Sequence, residues 1–471
     1  MNRFRSAWPC IFTLWMMGVT IAHGQNVIKN EVEPVEVPEP SWTETSGLNS
    51  FYDDVIQGPS EAAWAGMTEY FGECETTRER KWDAGGWLEQ GFSWNSDSPR
   101  DRNNGPVLFN DRSNEYQFNQ LYFYAGRPAK ADGCDFDFGF RADFNYGTDS
   151  RFVSSQGLEL HENRSRRWSS YRFYGWAMPQ LYAEFAFPVA RGLTLKIGHF
   201  YADFGYERFQ APENFFYSHS YAMNFSEPYT FTGLLSTLKM PHNIFFAQDR
   251  MTIRAGLTQG WDTWSRDGGD WGFFFSTKLE VPERQSAFTF SFHVGEEQTP
   301  FFSGPIPNSE ERIAYSLVYS KRFGKKLTWI VQQNAGVQLD GVLVVDQNNL
   351  TTSFDYAKWY GLNNSLLYQI NKQWAAGIRL EWFADRDGLL ISRFPIRFQP
   401  SGDLFLNNNY FNLTMGLNWK PRPFMVIRPE LRIDWSDLRG NPIVGNPALR
   451  TYDDASDGNQ VLFNTDIIIR Y

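Results

Sequence analysis

The stretch MVIRPELRIDWS, Met425–Ser436, decides how this chain folds. Taken every second residue it separates into Met425, Ile427, Pro429, Leu431, Ile433 and Trp435 on one side, and Val426, Arg428, Glu430, Arg432, Asp434 and Ser436 on the other. Side chains of a β-strand point alternately to opposite faces, so one face is apolar and ends on a Trp while the other carries four consecutive charges. A strand in a soluble sandwich rarely buries so charged a face opposite so apolar a one. A membrane barrel requires that pairing, because one face meets lipid and the other meets a polar interior.

The same alternation recurs along the chain. Phe136, Phe138, Phe140, Ala142, Phe144 and Tyr146 interleave with Asp135, Asp137, Gly139, Arg141, Asp143 and Asn145. Phe411 to Trp419 and Phe288 to Val294 repeat it with Asn, Thr, Ser and His on the second face. Such segments predict strands near 82–94, 115–126, 134–147, 178–189, 192–201, 229–240, 249–259, 270–282, 286–296, 311–322, 326–338, 355–370, 373–385, 408–419, 423–436 and 459–471, about sixteen in all. The connections between them are expected to alternate strictly between long and short. Long ones fall near 95–114, 148–177, 202–228, 260–269, 297–310, 339–354, 386–407 and 437–458, and tight turns such as Ala190-Arg191 and Asn371-Lys372 lie between. Long outer loops, short periplasmic turns and an even strand count describe an all-β transmembrane antiparallel barrel, which closes its sheet and leaves no edge in lipid.

Composition agrees. Aromatic residues make up 17% of the 471 residues, yet mean hydropathy is −0.47. No stretch approaches the roughly 18 uninterrupted apolar residues of a transmembrane helix. The first 24 residues read as an export signal, with Arg3 and Arg5, a short apolar run from Ile11 to Ile21, and small residues before Gln25. The rival reading, a helical anchor, needs about 20 apolar residues, roughly twice the run present. Residues 25–80 form an acidic, Pro-rich periplasmic extension with room for one short helix at 60–72, and 81–471 the barrel. Loss of two arginines with the signal takes the formal charge from −10 to −12, which argues against a nucleic-acid partner. Cys74 and Cys134 remain, both on the periplasmic side of the expected topology. They form a candidate disulfide in an oxidising compartment, with two unpaired thiols as the alternative.

The chain ends VLFNTDIIIRY, in which Phe463, Ile467, Ile469 and Tyr471 share the lipid face. A terminal aromatic preceded by alternate apolar residues resembles the signal read by the outer-membrane barrel assembly machinery, and a Tyr anchors at headgroup level. The third long connection holds an aromatic-rich run, PENFFYSHSY at Pro212–Tyr221. This run resembles that of the OmpL-like putative β-barrel porin family, and the likeness extends diffusely from about Trp87 to Tyr471. The resemblance implies an outer-membrane pore and transfers no catalytic residue.

By analogy with sixteen-stranded porins, the third outer loop is expected to fold into the lumen and leave Asp203, Glu207, Arg208 and Glu213 facing a constriction; a surface cap is the alternative. Arg141, Asp143, Glu184, Lys196, Arg254, Arg379, Glu381, Arg428, Glu430, Arg432, Asp434 and Arg470 are expected to face inward, either steering ions or simply pairing within a polar interior. Enzymatic readings are thin. The mature chain has no His-Glu-x-x-His helix and no Gly-x-Ser-x-Gly elbow; Ser218-His219 are adjacent, and His199 with Asp203 is too few ligands for a metal. No cofactor is expected. The sequence therefore reads as a bacterial outer-membrane porin passing small hydrophilic solutes or ions, set in outer-membrane lipid. The alternative is a non-conducting surface or adhesion barrel whose outer loops bind a partner. A homo-oligomer is compatible with either, although no flat apolar stretch marks an interface.

Overall fold

The computed structural model describes residues 82–130, 135–161, 165–169, 171–240, 242–246, 249–265, 270–298, 309–346, 351–391, 408–437, 451–454 and 456–471. The expected export signal, the expected extension at 25–80 and both cysteines of the candidate disulfide, Cys74 and Cys134, lie outside the described residues.

Sixteen antiparallel strands close into one barrel. They are β1 (Asp83–Asn95), β2 (Glu115–Arg127), β3 (Asp137–Gly147), β4 (Gly175–Phe187), β5 (Leu193–Tyr201), β6 (Thr230–Lys239), β7 (Arg250–Trp261) and β8 (Gly272–Val281). The second half holds β9 (Ser286–Gln298), β10 (Ser309–Phe323), β11 (Leu327–Asp346), β12 (Thr351–Gln369), β13 (Trp374–Asp385), β14 (Asn408–Arg422), β15 (Met425–Ser436) and β16 (Asn459–Arg470). Each strand pairs with its sequence neighbours, and β1 pairs with β16 in a register running from Trp87–Arg470 to Asn95–Leu462. The seam is finished by reciprocal bonds of 3.0 Å between the backbones of Gly86 and Tyr471, and the Tyr471 hydroxyl donates to the Tyr122 carbonyl at 3.0 Å. Only glycine fits at position 86, where a Cβ would collide with that carbonyl and with the Tyr471 ring.

The two faces separate as the alternation requires. On β15 the charged series is buried inside and the apolar series faces out, and Phe463 and Tyr471 on the final strand are exposed on the outer surface. Aromatic pairs mark both ends of the apolar band: Trp374 stacks on Trp419 at 5.5 Å near the periplasmic turns, and Phe411 on Trp435 at 5.4 Å near the outer loops. Such belts sit at the two headgroup levels of a membrane.

Two expectations from the sequence need correction. The connection at 339–354 is mostly strand: Val342 pairs with Asp355 and Asp346 with Thr351 after a bulge at Gln338. Its Val-rich composition suits a pleated ribbon, and pairing satisfies its backbone where a loop would have to find other partners. Nor are the connections strictly sorted by length. The periplasmic turn at 240–249 is as long as the outer one at 262–271. It is held by Asp249, whose carboxylate accepts from the backbone nitrogens of Ile244, Phe245 and Phe246 at 2.7–3.2 Å.

Candidate functional site

The interior is occupied by the third outer loop, Ala202–Tyr229, which leaves β5 and returns to β6 through the barrel rather than over it. Its local structure is compact. Pro212 opens a single 3-10 turn at Ala211–Glu213, and a short helix at Tyr221–Phe225 is capped by the Ser220 hydroxyl, which accepts from the Met223 nitrogen at 3.2 Å. Neither piece would persist alone; both are held by the wall.

Charged side chains of β13, β15 and β16 provide that hold. Arg428 donates to the carbonyls of Ala211, Asn214 and Phe216 at 2.8–3.0 Å while pairing with Asp466 at 2.6 Å and Glu89 at 3.1 Å. Glu430 accepts from the backbone nitrogens of Tyr217 and Ser218, and Glu381 from those of Tyr221 and Ala222. Arg432, paired with Asp434, donates to the His219 carbonyl at 2.6 Å. Arg379 donates to the Ser218 carbonyl at 2.8 Å and pairs with Glu207 at 2.6 Å. From β2, Gln120 donates to the Phe209 carbonyl, and Asn119 accepts from the Tyr217 hydroxyl. Irregular backbone at membrane depth is tolerated only where protein or a water-filled cavity satisfies its polar groups, and on this side of the loop the wall side chains do so.

The four residues expected at a constriction divide. Glu207 does not face an opening: it is buried, and also accepts from the Ser220 nitrogen and hydroxyl. Burial alone would raise its carboxyl, but the Arg379 charge holds it well below the usual carboxylate range. Asp203, Arg208 and Glu213 do form a more open edge. Asp203 sits between Arg208 at 3.0 Å and Arg254 of β7 at 2.6 Å. Against the effect of burial, those two guanidiniums bring its carboxyl to about 2. Glu213 is exposed.

The charged residues expected to face inward stand in two environments. Arg379 and Arg432 are fully covered and Arg428 is 3% exposed, whereas Arg141, Lys196 and Arg254 on β3, β5 and β7 retain 24–26%. Arg141 pairs with Asp143, Lys196 lies 3.9 Å from Glu184, and Arg470 donates to the Pro212 carbonyl at 3.2 Å. The covered group fastens the loop; the partly exposed group, with Lys278 and Glu280 of β8, faces its open edge.

Other outer segments join the third loop. Leu108 and Phe109 of the first, Phe152 and Val153 of the second, and Leu389–Ile391 after β13 pack with Phe204, Phe209, Tyr221 and Tyr229 into one apolar cluster, which also takes Phe231, Trp261, Trp359, Phe383 and Tyr410 from the strands. This cluster was not legible beforehand, nor were the neutral anchors Asn119, Gln120, Gln332 and Asn334. The shared inward parity of Gln332 and Asn334 on β11 was an available signal; Asn119 and Gln120 are adjacent and both turn inward only because a bulge interrupts the β1–β2 register between Gln120 and Phe118, which no alternation announces. Gln332 and Asn334 donate to the Glu227 carboxylate, the latter at 2.7 Å, and burial raises that carboxyl to about 8.

Among the described residues, the two arrangements considered in the sequence do not assemble. The Ser218 hydroxyl is bonded to Arg379 and not to His219, and His199 is held by Ser155 and Thr232. Among the described residues no group of His, Cys, Asp and Glu is arranged to hold a metal.

A model of the family described as putative beta-barrel porin-2, OmpL-like, matches residues 81–471. No curated protein matches the chain. Among solved structures, the outer membrane channel DcaP of Acinetobacter baumannii is 9% identical, with a TM-score of 0.50 over 83% of this chain and 97% of that one. OprB of Pseudomonas putida is 12% identical, with a TM-score of 0.48 over 83% and 94%. OmpF of Salmonella typhi, in a complex with daunomycin, is 10% identical, with a TM-score of 0.47 over 83% and 98%. At such identities the likeness to DcaP concerns the fold alone.

Proposed function

We propose, for a chain that belongs to the OmpL-like putative β-barrel porin-2 family, passive conduction of small hydrophilic solutes or ions through a lumen narrowed by the third outer loop. Family membership places it among outer-membrane porins of bacteria; the narrowing and the class of solute are the further step. One observation carries that step. The third loop is bonded inside the barrel to β13, β15 and β16, and its less buried edge, Asp203 with Arg208 and Glu213, faces the partly exposed charges of β3–β8. Solutes in this reading pass between that edge and that wall. Nothing binds them tightly, since conduction needs exit as readily as entry. The acidic balance of the chain favours cations mildly, tempered by Arg208 and Arg254 at the narrowing.

Purified protein in a planar bilayer tests the reading. Discrete ohmic current steps are expected, and deletion of residues 203–213 should enlarge them. Silent insertion of folded, heat-modifiable barrels would overturn it. Silence is the outcome of the second reading, an occluded barrel whose outer loops bind a partner. The continuous apolar cluster of Phe109, Val153, Phe209 and Tyr229 favours that reading.

A further inference from the structure

We propose that the outer rim above β2–β4 is a docking surface for the phosphorylated headgroup of an outer-leaflet glycolipid. The chain is acidic overall, yet residues 161–176 contain four arginines (164, 166, 167 and 172) against one acid, Glu162. The fold concentrates this charge further. Around the single ring of Phe173 stand three guanidiniums, Arg112 at 4.5 Å, Arg172 at 4.8 Å and Arg151 at 5.5 Å. Two of them are compensated, Arg151 by Asp111 at 2.7 Å and Arg112 by Glu115 at 2.8 Å. Arg166, Arg167 and Arg172 have no carboxylate within ion-pair distance among the described residues; Arg166 donates instead to the Tyr171 carbonyl at 3.0 Å. Like charges gathered in this way repel one another, and an anion supplied from outside relieves the repulsion.

The position of the patch says which anion. Tyr146 and Trp176 are register partners on the last lipid-facing rung of β3 and β4, with rings 5.0 Å apart, and Tyr171 and Tyr174 extend the aromatic belt at 5.8 Å. Tyr171 is 64% exposed and Trp176 45%. An exposed Tyr/Trp belt marks headgroup level, so Arg166, Arg167 and Arg172 stand within a few residues of where the phosphates of outer-leaflet lipid lie. Planar guanidiniums pair with phosphate through two parallel N–H···O bonds. The proposal does not depend on whether the lumen conducts.

Full-length protein, refolded in detergent free of lipopolysaccharide, is titrated with lipopolysaccharide and with its enzymatically dephosphorylated form, and bound lipid is read by native mass spectrometry. The phosphorylated lipid should bind at least about tenfold more tightly, with each arginine near an anionic surface contributing several-fold. The variant Arg166→Gln/Arg172→Gln should lose that preference, while Arg250→Gln/Arg284→Gln at the periplasmic end should keep it. Unchanged heat-modifiability shows that each variant folds; should the first pair fail to fold, Arg167→Gln, whose side chain is exposed, replaces it with a several-fold loss expected. Equal binding of the two lipids, or retention of the preference in the rim variant, overturns the proposal. So does competition by inorganic phosphate at concentrations matching the lipid, which would make the rim a site for dissolved anions.

Discussion

The two sides of the barrel interior obey one alternation and end in opposite states. On β13 and β15 the inward arginines are covered, each tied to backbone of the third loop or to a carboxylate: Arg379 to Glu207, Arg428 to Asp466 and Glu89, Arg432 to Asp434. On β3–β8 Arg141 pairs with Asp143, Lys196 lies near Glu184 and Arg254 reaches Asp203 at the loop's open edge, and these three cations keep about a quarter of their surface. An inward charge is thus either an anchor or a lining group according to whether a loop lies on it. Charge pairs sealed from water are costly to break on one side, whereas partly exposed pairs contribute little. Conduction, in the reading proposed above, belongs to the second side and the shape of the path to the first.

The sharpest break in that comparison is Arg428→Gln, which strands Asp466 and Glu89 and frees three loop carbonyls. It should cost about 3–5 kcal/mol, seen as a fall in the temperature of the heat-modifiability shift together with larger or noisier current. Lys196→Gln, whose ammonium lies 3.9 Å from Glu184 on the exposed side, should move that temperature by no more than about 1 kcal/mol equivalent. Equal losses would abolish the distinction.

Proton linkage should separate loop groups of opposite sign. Glu227 titrates near 4.5 when unfolded and about 8 when folded. Between those values the folded protein keeps a proton that the unfolded chain has lost, so stability from this group falls as pH rises through the window. Glu207 is depressed by Arg379; its contribution is present above 4.5 and is lost as pH falls below it. Glu227→Gln should flatten the decline between pH 5 and 8 in an unfolding series and leave the acid limb intact.

The smallest effect expected is on selectivity. Asp203→Asn removes the carboxylate between Arg208 and Arg254 and should shift the reversal potential in a salt gradient toward anions by a few-fold in permeability ratio, with a smaller loss of stability than Arg428→Gln.

Much of this was legible in the sequence because a period of two is a local signal. MVIRPELRIDWS assigns each residue of β15 to lipid or to the interior without reference to any other strand; the sixteen strands were legible as elements in the same way, with β11 and β12 longer than expected, but the bulges that shift the alternation, as between Gln120 and Phe118 of β2, were not. The loop lying upon Arg379 and Arg428 was foreseen only as a feature of related pores. Which wall it covers follows from pairings as distant as Arg428 with Ala211 and Tyr221 with Glu381, and no local pattern encodes those. Glu207 illustrates the limit. Sequence placed it at an opening with its neighbours; the structure turns it toward Arg379, and the more open edge is left to Asp203, Arg208 and Glu213.

A cysteine at Arg208, in protein whose Cys74 and Cys134 are replaced by Ser, tests the account most directly by single-channel recording with a cationic thiol reagent. Modification of Arg208→Cys should lower the current in a discrete step, and the same reagent on Thr414→Cys, beneath the anchored loop, should leave it unchanged. A silent barrel, or a block from position 414 with none from position 208, would contradict it.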